Sequence, residues 1–381
     1  MRFDTRLIHA EQPPDPLTGA VNPPIYLSST FAQSAPNRHK GYVYSRSGNP
    51  TRTVLERALA SLEGGATGLA FSSGLGALAT LLEDVPSGSR IVAGEDLYGG
   101  TWRLFEHHRR QFGIVVDYVD TTDPAGLERA CDRGPVALVY VETPTNPLLR
   151  ITDLRAAARA AHAHRARLVV DNTFATPALQ RPLERGADIV LHSTTKYLGG
   201  HSDVIGGALV ARTPADGERL TWLQNAVGAV PSPFDCFLVL RGLHTLGVRM
   251  RAHGAAAARV ADALAAHRKV RRVLYPGRKD HPEHAVARRQ MDGYGGMVGV
   301  ELAGGARAAR RFLGGLRIFT LAESLGGVES LVEHPASMTH ASLPRAERRR
   351  RGIDEGLVRL SCGIEDPDDL VDDVRSALRR A

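Results

Sequence analysis

LVVDNTFATPALQRPLERGADIVLHSTTKYLGGHSDVIGGALV, residues 168–210, carries the reading of the fold. Two short apolar runs, Leu168-Val169-Val170 and Ile189-Val190-Leu191, each break into polar residues. Asp171-Asn172-Thr173 follows the first, and His192-Ser193-Thr194-Thr195-Lys196 follows the second. Glycine-rich Gly199-Gly200-His201-Ser202-Asp203 comes next. Short apolar runs bounded by turn formers predict strands buried on both faces. The theme recurs upstream at Leu69-Ala70-Phe71, Ile91-Val92-Ala93, Ile114-Val115-Val116 and Ala137-Leu138-Val139-Tyr140-Val141. Helical spacing separates these runs at 53–62, 75–82, from about 101, at 124–132 and at 153–165. Strands alternating with helices predict an α/β fold with a largely parallel sheet covered on both faces.

The alternation fades after about residue 235. Alanine- and leucine-rich 236–267 predicts a long helical stretch, 297–300 and 357–360 predict strands, and 368–380 fits a last helix. That is a smaller C-terminal α/β domain. The first fifty residues have no period and carry Pro13, Pro14, Pro16, Pro23, Pro24 and Pro36. Such a segment wraps over a surface rather than building a core. The division is therefore 1–50, an N-terminal arm reaching a neighbouring subunit; 51–235, the larger domain; and 236–381, the smaller one.

The 381 residues suit two domains. A formal charge of +7 raises the question of a nucleic-acid partner. The basic residues are scattered, however, and no nucleic-acid motif accompanies them; Arg345 to Arg351 reads as a solvated loop or helix edge. Cys131, Cys236 and Cys362 are odd in number and far apart, which argues against a disulfide framework or zinc site and for a reducing compartment. His107-His108 and the His162/His164 pair read as solvated helix faces, not metal ligands. With no apolar h-region at the start and no long apolar run, a cytoplasmic protein without membrane contact is expected.

In open α/β sheets, ligands sit at the carboxyl ends of the strands. Asp171 and Lys196 each fall just past such an end and would face one crevice. A lysine amine forms a Schiff base with an aldehyde, and a carboxylate keeps a pyridine nitrogen protonated. The pair suits pyridoxal 5′-phosphate (PLP). Ser193 and Thr195 set hydroxyls beside the lysine for phosphate oxygens. The lysines are Lys40, Lys196, Lys269 and Lys279, and Lys196 alone has small, apolar-flanked surroundings that would lower its pKa. The plain alternative makes Asp171 a helix cap and Lys196 a surface lysine. Ser72-Ser73-Gly74 ends a strand and opens a helix, offering free N–H groups to phosphate or simply a tight turn. Tyr98, before Gly99-Gly100, stacks on a planar ring or belongs to the core. Tyr44 and Arg46, in the arm, would reach a phosphate in a neighbouring subunit.

Taken together, these residues resemble the Cys/Met-metabolism family of PLP enzymes. The matching stretches are YSRSGNPT (44–51), SSG (72–74), YGGT (98–101), ETPTNP (142–147), DNTFATP (171–177), HSTTKYLGGHSD (192–203), AESLGGVESL (322–331) and VRLSCGIED (358–366). The resemblance implies the fold-type-I architecture of aspartate aminotransferase and a homotetramer built from two catalytic dimers. It implies that Lys196 holds PLP and shuttles protons, that Asp171 pairs with the ring nitrogen, and that Tyr98 stacks on the ring. Ser73, Gly74, Leu75, Asn146, Thr173, Ser193 and Thr195 would complete the cofactor contacts, with Tyr44 and Arg46 from the neighbour. Arg359, supported by Ser324 and Asn146, would bind the α-carboxylate of an amino-acid substrate.

The implied activity is γ-elimination, a Cγ–S lyase reaction on a sulfur amino acid such as cystathionine or methionine, giving a thiol, 2-oxobutyrate and ammonia. Cystathionine γ-synthase chemistry, γ-replacement on an O-acylhomoserine with cysteine, is the alternative. A catalytically silent PLP-fold binding protein is the alternative of another class. Glu323 and Arg103 match cystathionine-processing members. Val43 stands where those members carry an acidic residue, which favours a less polar γ-substituent. Gly100 stands where methionine γ-lyases carry cysteine. Leu75 replaces a methionine, and Cys362 a valine.

Overall fold

A computed structural model describes residues 1–341 and 344–381. Seven strands form the larger sheet: β1 (Thr67–Phe71), β2 (Arg90–Gly94), β3 (Val115–Val119), β4 (Leu138–Glu142), β5 (Arg167–Asp171), β6 (Ile189–Ser193) and β7 (Gly207–Ala211). Their order is β1-β7-β6-β5-β4-β2-β3. Strands β6, β5, β4, β2 and β3 run parallel, while β7 is antiparallel to both β6 and β1. The expected mostly parallel α/β sheet is present.

Alternation explains why the central strands read as unbroken apolar runs. Val139, Val141, Leu168, Val170 and Val190 enter one core layer with Leu55 and Leu59 of the Pro50–Glu63 helix. Leu138, Tyr140, Val169, Ile189 and Leu191 enter the opposite layer with Leu78 and Leu81 of the Gly74–Leu82 helix. Each strand thus buries both faces, and no polar position breaks the run. By the same alternation Glu142, Asp171 and Ser193, the last residues of β4, β5 and β6, share the face of Tyr140, Val169 and Leu191.

The second sheet comprises β8 (Val270–Leu274), β9 (Met297–Leu302), β10 (Thr320–Leu321), β11 (Leu331–Glu333) and β12 (Leu357–Ser361), in the order β10-β11-β12-β9-β8. Val298, Val300, Val358 and Leu360 pack there against Leu370, Val374 and Leu378 of the Pro367–Arg380 helix. Cys362 belongs to this core, and its carbonyl accepts a 2.7 Å bond from His253 Nδ1.

Four expectations need revision. Residues 3–9 are helical: Leu7 is buried against the larger domain and Arg6 Nη1 donates to Ser61 O at 2.9 Å, so the arm begins docked on its own chain. The helical stretch expected over 236–267 is there, but as two helices, Pro233–His244 and Leu246–Ala265, which part at Thr245. His108 is buried, with its ring 5.0 Å from that of Phe112. Arg351 is also buried: Nη1 donates to Glu95 O at 2.7 Å, Nε pairs with Glu347, and the guanidinium lies over the Tyr118 ring. Phe112, one turn on in the same helix, packs against the His108 ring, whereas Glu95 and Tyr118 from distant segments enclose Arg351. Among the described residues no helix is long and apolar enough to cross a membrane, and no group of three or more His, Cys, Asp or Glu side chains is arranged to hold a metal ion.

Candidate active site

The strand ends open into a cavity of about 760 Å³, the size of a small-molecule site. Ser73, Gly74, Leu75, Tyr98, Asn146, Asp171, Thr173, Ser193, Thr195, Lys196, Glu323, Ser324 and Arg359 all line it. Val43, Tyr44, Arg46 and Arg103 do not line this protomer's cavity. Tyr44 is half-exposed, and Arg46 is held on its own chain by Asn225, with Nη1 2.5 Å from the carbonyl oxygen and 3.0 Å from Oδ1. Arg103 and Val43 are exposed.

Lys196 follows β6 in a turn whose Gly200 N–H donates to the Lys196 carbonyl at 2.8 Å. Its Nζ lies 2.8 Å from Ser324 Oγ. Burial, then the positive charge of Arg359, brings the amine down to about 8. Glu333 and Glu323 act in the opposite direction. Asp171, one strand away, accepts from Thr173 N at 3.0 Å, Thr173 Oγ1 at 2.5 Å and Tyr140 Oη at 3.3 Å. Burial nevertheless raises its pKa, against the opposing pull of these hydrogen bonds.

Phe71 ends β1, and Ser73 then caps the Gly74–Leu82 helix, its Oγ accepting from Gly76 N at 2.9 Å. The N–H groups of the first turn have no carbonyl behind them to bond. Close packing fixes where they stand. A Cβ on Gly207 would come within 2.2 Å of Ser73 O and 2.6 Å of Gly74 N, so only glycine lets β7 approach this turn. Ser193 N donates to Thr173 Oγ1 at 2.9 Å, and Thr195 Oγ1 both accepts from Gly206 N and lies 3.2 Å from Gly206 O.

Arg359 of β12 brings the smaller domain to the cavity and is almost wholly buried. Nη1 meets Asn146 Oδ1 at 2.7 Å and Glu333 Oε1 at 3.0 Å, while Nη2 donates to Ser324 O at 2.8 Å. Ser324 has φ 97°, a conformation disfavoured for a residue with a Cβ. That strain, of order 1–3 kcal/mol, turns its carbonyl to Arg359 and its hydroxyl to Lys196.

Several residues at the cavity had no assigned role from spacing: Tyr140 beneath Asp171, Asp203, Glu329 and Glu142 in the lining, and Glu333 outside it, paired with Arg359. Glu142 lies inside the quoted ETPTNP stretch, and its position at a strand end beside Asp171 was the available signal.

This fold, with a half-buried lysine and a buried carboxylate and arginine in one cavity, defines an enzyme-like small-molecule site. A family model described as Cys/Met metabolism PLP-dependent enzyme matches residues 4–379, and the chain belongs to that family. It is 52% identical to cystathionine β-lyase of Coxiella burnetii over 99% of this chain and 97% of the relative. It is 49% identical to cystathionine γ-lyase of Dictyostelium discoideum, again over 99% and 97%. The crystal structure of cystathionine γ-synthase from Xanthomonas oryzae pv. oryzae superimposes with a TM-score of 0.97 at 50% identity, covering 100% of this chain and 98% of that one. The cofactor of the family is PLP.

Proposed function

We propose that this protein is a PLP-dependent Cγ–S lyase acting on cystathionine, releasing cysteine, 2-oxobutyrate and ammonia with uptake of one water. The observation that carries the reading is the charge lining of the cavity. Lys196 and Arg359 stand in it together with Asp203, Glu323 and Glu329. A simple amino acid needs one guanidinium for its α-carboxylate. Further carboxylates in the same lining suit a substrate with a second ammonium, which cystathionine has and methionine lacks.

The donor set fits PLP. An amine brought down to about 8 is available for covalent attachment. A buried carboxylate suits the pyridine nitrogen, and free helix N–H groups with the hydroxyls of Ser193 and Thr195 suit a phosphate. When bound, PLP supplies an electron sink that stabilises negative charge at the substrate carbons. Asp171 would keep the ring nitrogen protonated, and Tyr98 would stack on the ring. Tyr44 and Arg46 would come to the phosphate from a neighbouring subunit of a homotetramer. Arg359, braced by Asn146 and Ser324, holds the α-carboxylate and so orients the Cα–H bond. Lys196 Nζ moves the protons at Cα and then Cβ, and the departing sulfur takes a proton. Glu323 would face the distal part of the substrate, with Arg103 and Val43 further out.

The second reading is γ-replacement on an O-acylhomoserine with cysteine, favoured by the likeness to a γ-synthase structure. One product assay separates the readings. With cystathionine alone, γ-elimination yields 2-oxobutyrate and β-elimination yields pyruvate. Pyruvate in place of 2-oxobutyrate, or absence of both with rapid cystathionine formation from O-succinyl- or O-acetylhomoserine and cysteine, would overturn the Cγ–S lyase proposal.

A further inference from the structure

Glu142 is a buried carboxylate for which the scheme above has no task. It ends β4 in register with Asp171 on β5, on the cavity face of the sheet. Both its oxygens are occupied by backbone donors from different loops. Tyr98 N donates to Oε2 at 3.0 Å, and Asn146 N donates to Oε1 at 2.7 Å. Tyr98 is the residue at the head of the Gly99–Phe112 helix, where an anion is favoured by the helix dipole. Asn146 passes the connection on, since its Oδ1 accepts from Arg359 Nη1 at 2.7 Å. One carboxylate therefore ties the aromatic residue at the cofactor ring to the clamp for the substrate.

Its chemistry is specific to that task. A carboxylate offers acceptors on both oxygens and no donor, whereas glutamine of the same shape would set its NH₂ against one of the two N–H groups. Keeping a charge here is costly. Burial, and then the neighbouring Asp171, push the Glu142 pKa well up. Glutamine would avoid that cost but lose one of the bonds.

We infer that Glu142 is a positioning residue that couples Tyr98 at the cofactor ring to Asn146 and Arg359 at the substrate carboxylate. The inference rests on the site reading above. It predicts that Glu142→Gln weakens binding of both PLP and substrate, one through the lost bond and the other through loss of charge on its acceptor. The test measures PLP affinity of the apoprotein by absorbance reconstitution, and KM for cystathionine, in wild type, Glu142→Gln, Asn146→Ala and the double variant. In Glu142→Gln the quantity served by the lost bond should worsen about tenfold or more, the scale of a lost hydrogen bond to a charged group, and the other should worsen less, because its remaining acceptor is no longer charged. In the double variant the KM losses should fall short of the product of the single ones, because both changes cut one chain of contacts.

Wild-type affinity and KM in Glu142→Gln, or KM losses that multiply independently, overturn the inference. A general structural role would lower melting temperature without this coupling. If Glu142→Gln does not fold, Glu142→Asp serves. It keeps the charge but reaches only one N–H, so it should impair one of the two quantities, and impairment of neither overturns the inference. A wild type that takes up no PLP overturns the site reading along with this one. A wild type that takes it up beside unimpaired variants overturns the role of Glu142 alone.

Discussion

Burial and the Arg359 guanidinium bring the Lys196 amine down to about 8, from an ordinary value of 10.5. Between those two pH values the unfolded chain keeps the proton that the folded chain has lost, so this group favours folding increasingly as pH rises through the window. Below about 8 the folded apoprotein instead carries a charged lysine in a poorly solvated place. Covalent attachment of an aldehyde needs the neutral amine. The rate of PLP uptake by the apoprotein should therefore rise about tenfold per pH unit below this value and level off above it. Stopped-flow absorbance between pH 6 and 10 checks this, and a rate that keeps climbing to pH 10 would place the amine in an ordinary, solvated setting.

At the scale of elements, the site depends on how closely β7 approaches the turn between β1 and the Gly74–Leu82 helix. Gly207→Ala puts a methyl into the space held by Ser73 O and Gly74 N. The turn must move, at about 1–3 kcal/mol, and the N–H groups proposed for the phosphate move with it. Lower melting temperature together with weaker PLP retention on dialysis is expected; unchanged retention would detach the helix start from cofactor binding. Elements buried on both faces were legible in the sequence, because β4, β5 and β6 leave no polar interruption. Strand β8 was not, since Arg271 and Arg272 are exposed and interrupt the apolar pattern. Strand β7 opens on a glycine within a glycine-rich stretch, which reads as turn. Lys196 and Asp171 were legible through side-chain chemistry next to strand ends. Glu142 was legible as a carboxylate at a strand end, but its task was not, because its partners are backbone N–H groups of two loops and no residue type records those.

For the whole molecule, the N-terminal arm sets the question. Its first helix is docked on its own chain, while Leu17, Val21, Leu27 and Tyr44 further along are exposed. Tyr44 and Arg46 stand outside their own protomer's cavity, which is consistent with service to a neighbour's site. If Arg46 acts across the interface, Arg46→Ala and Lys196→Ala proteins, each impaired alone, should regain activity when mixed and allowed to exchange subunits. The hybrid contains one site with both residues intact. No recovery in verified hybrids would confine Arg46 to its own chain. The claim on which all of this rests is covalent attachment of PLP at Lys196. Borohydride reduction of the PLP-loaded protein, followed by mass mapping of its peptides, tests it most directly. The reduced cofactor is expected on the peptide containing Lys196; a label on Lys40, Lys269 or Lys279, or no label, would contradict attachment there.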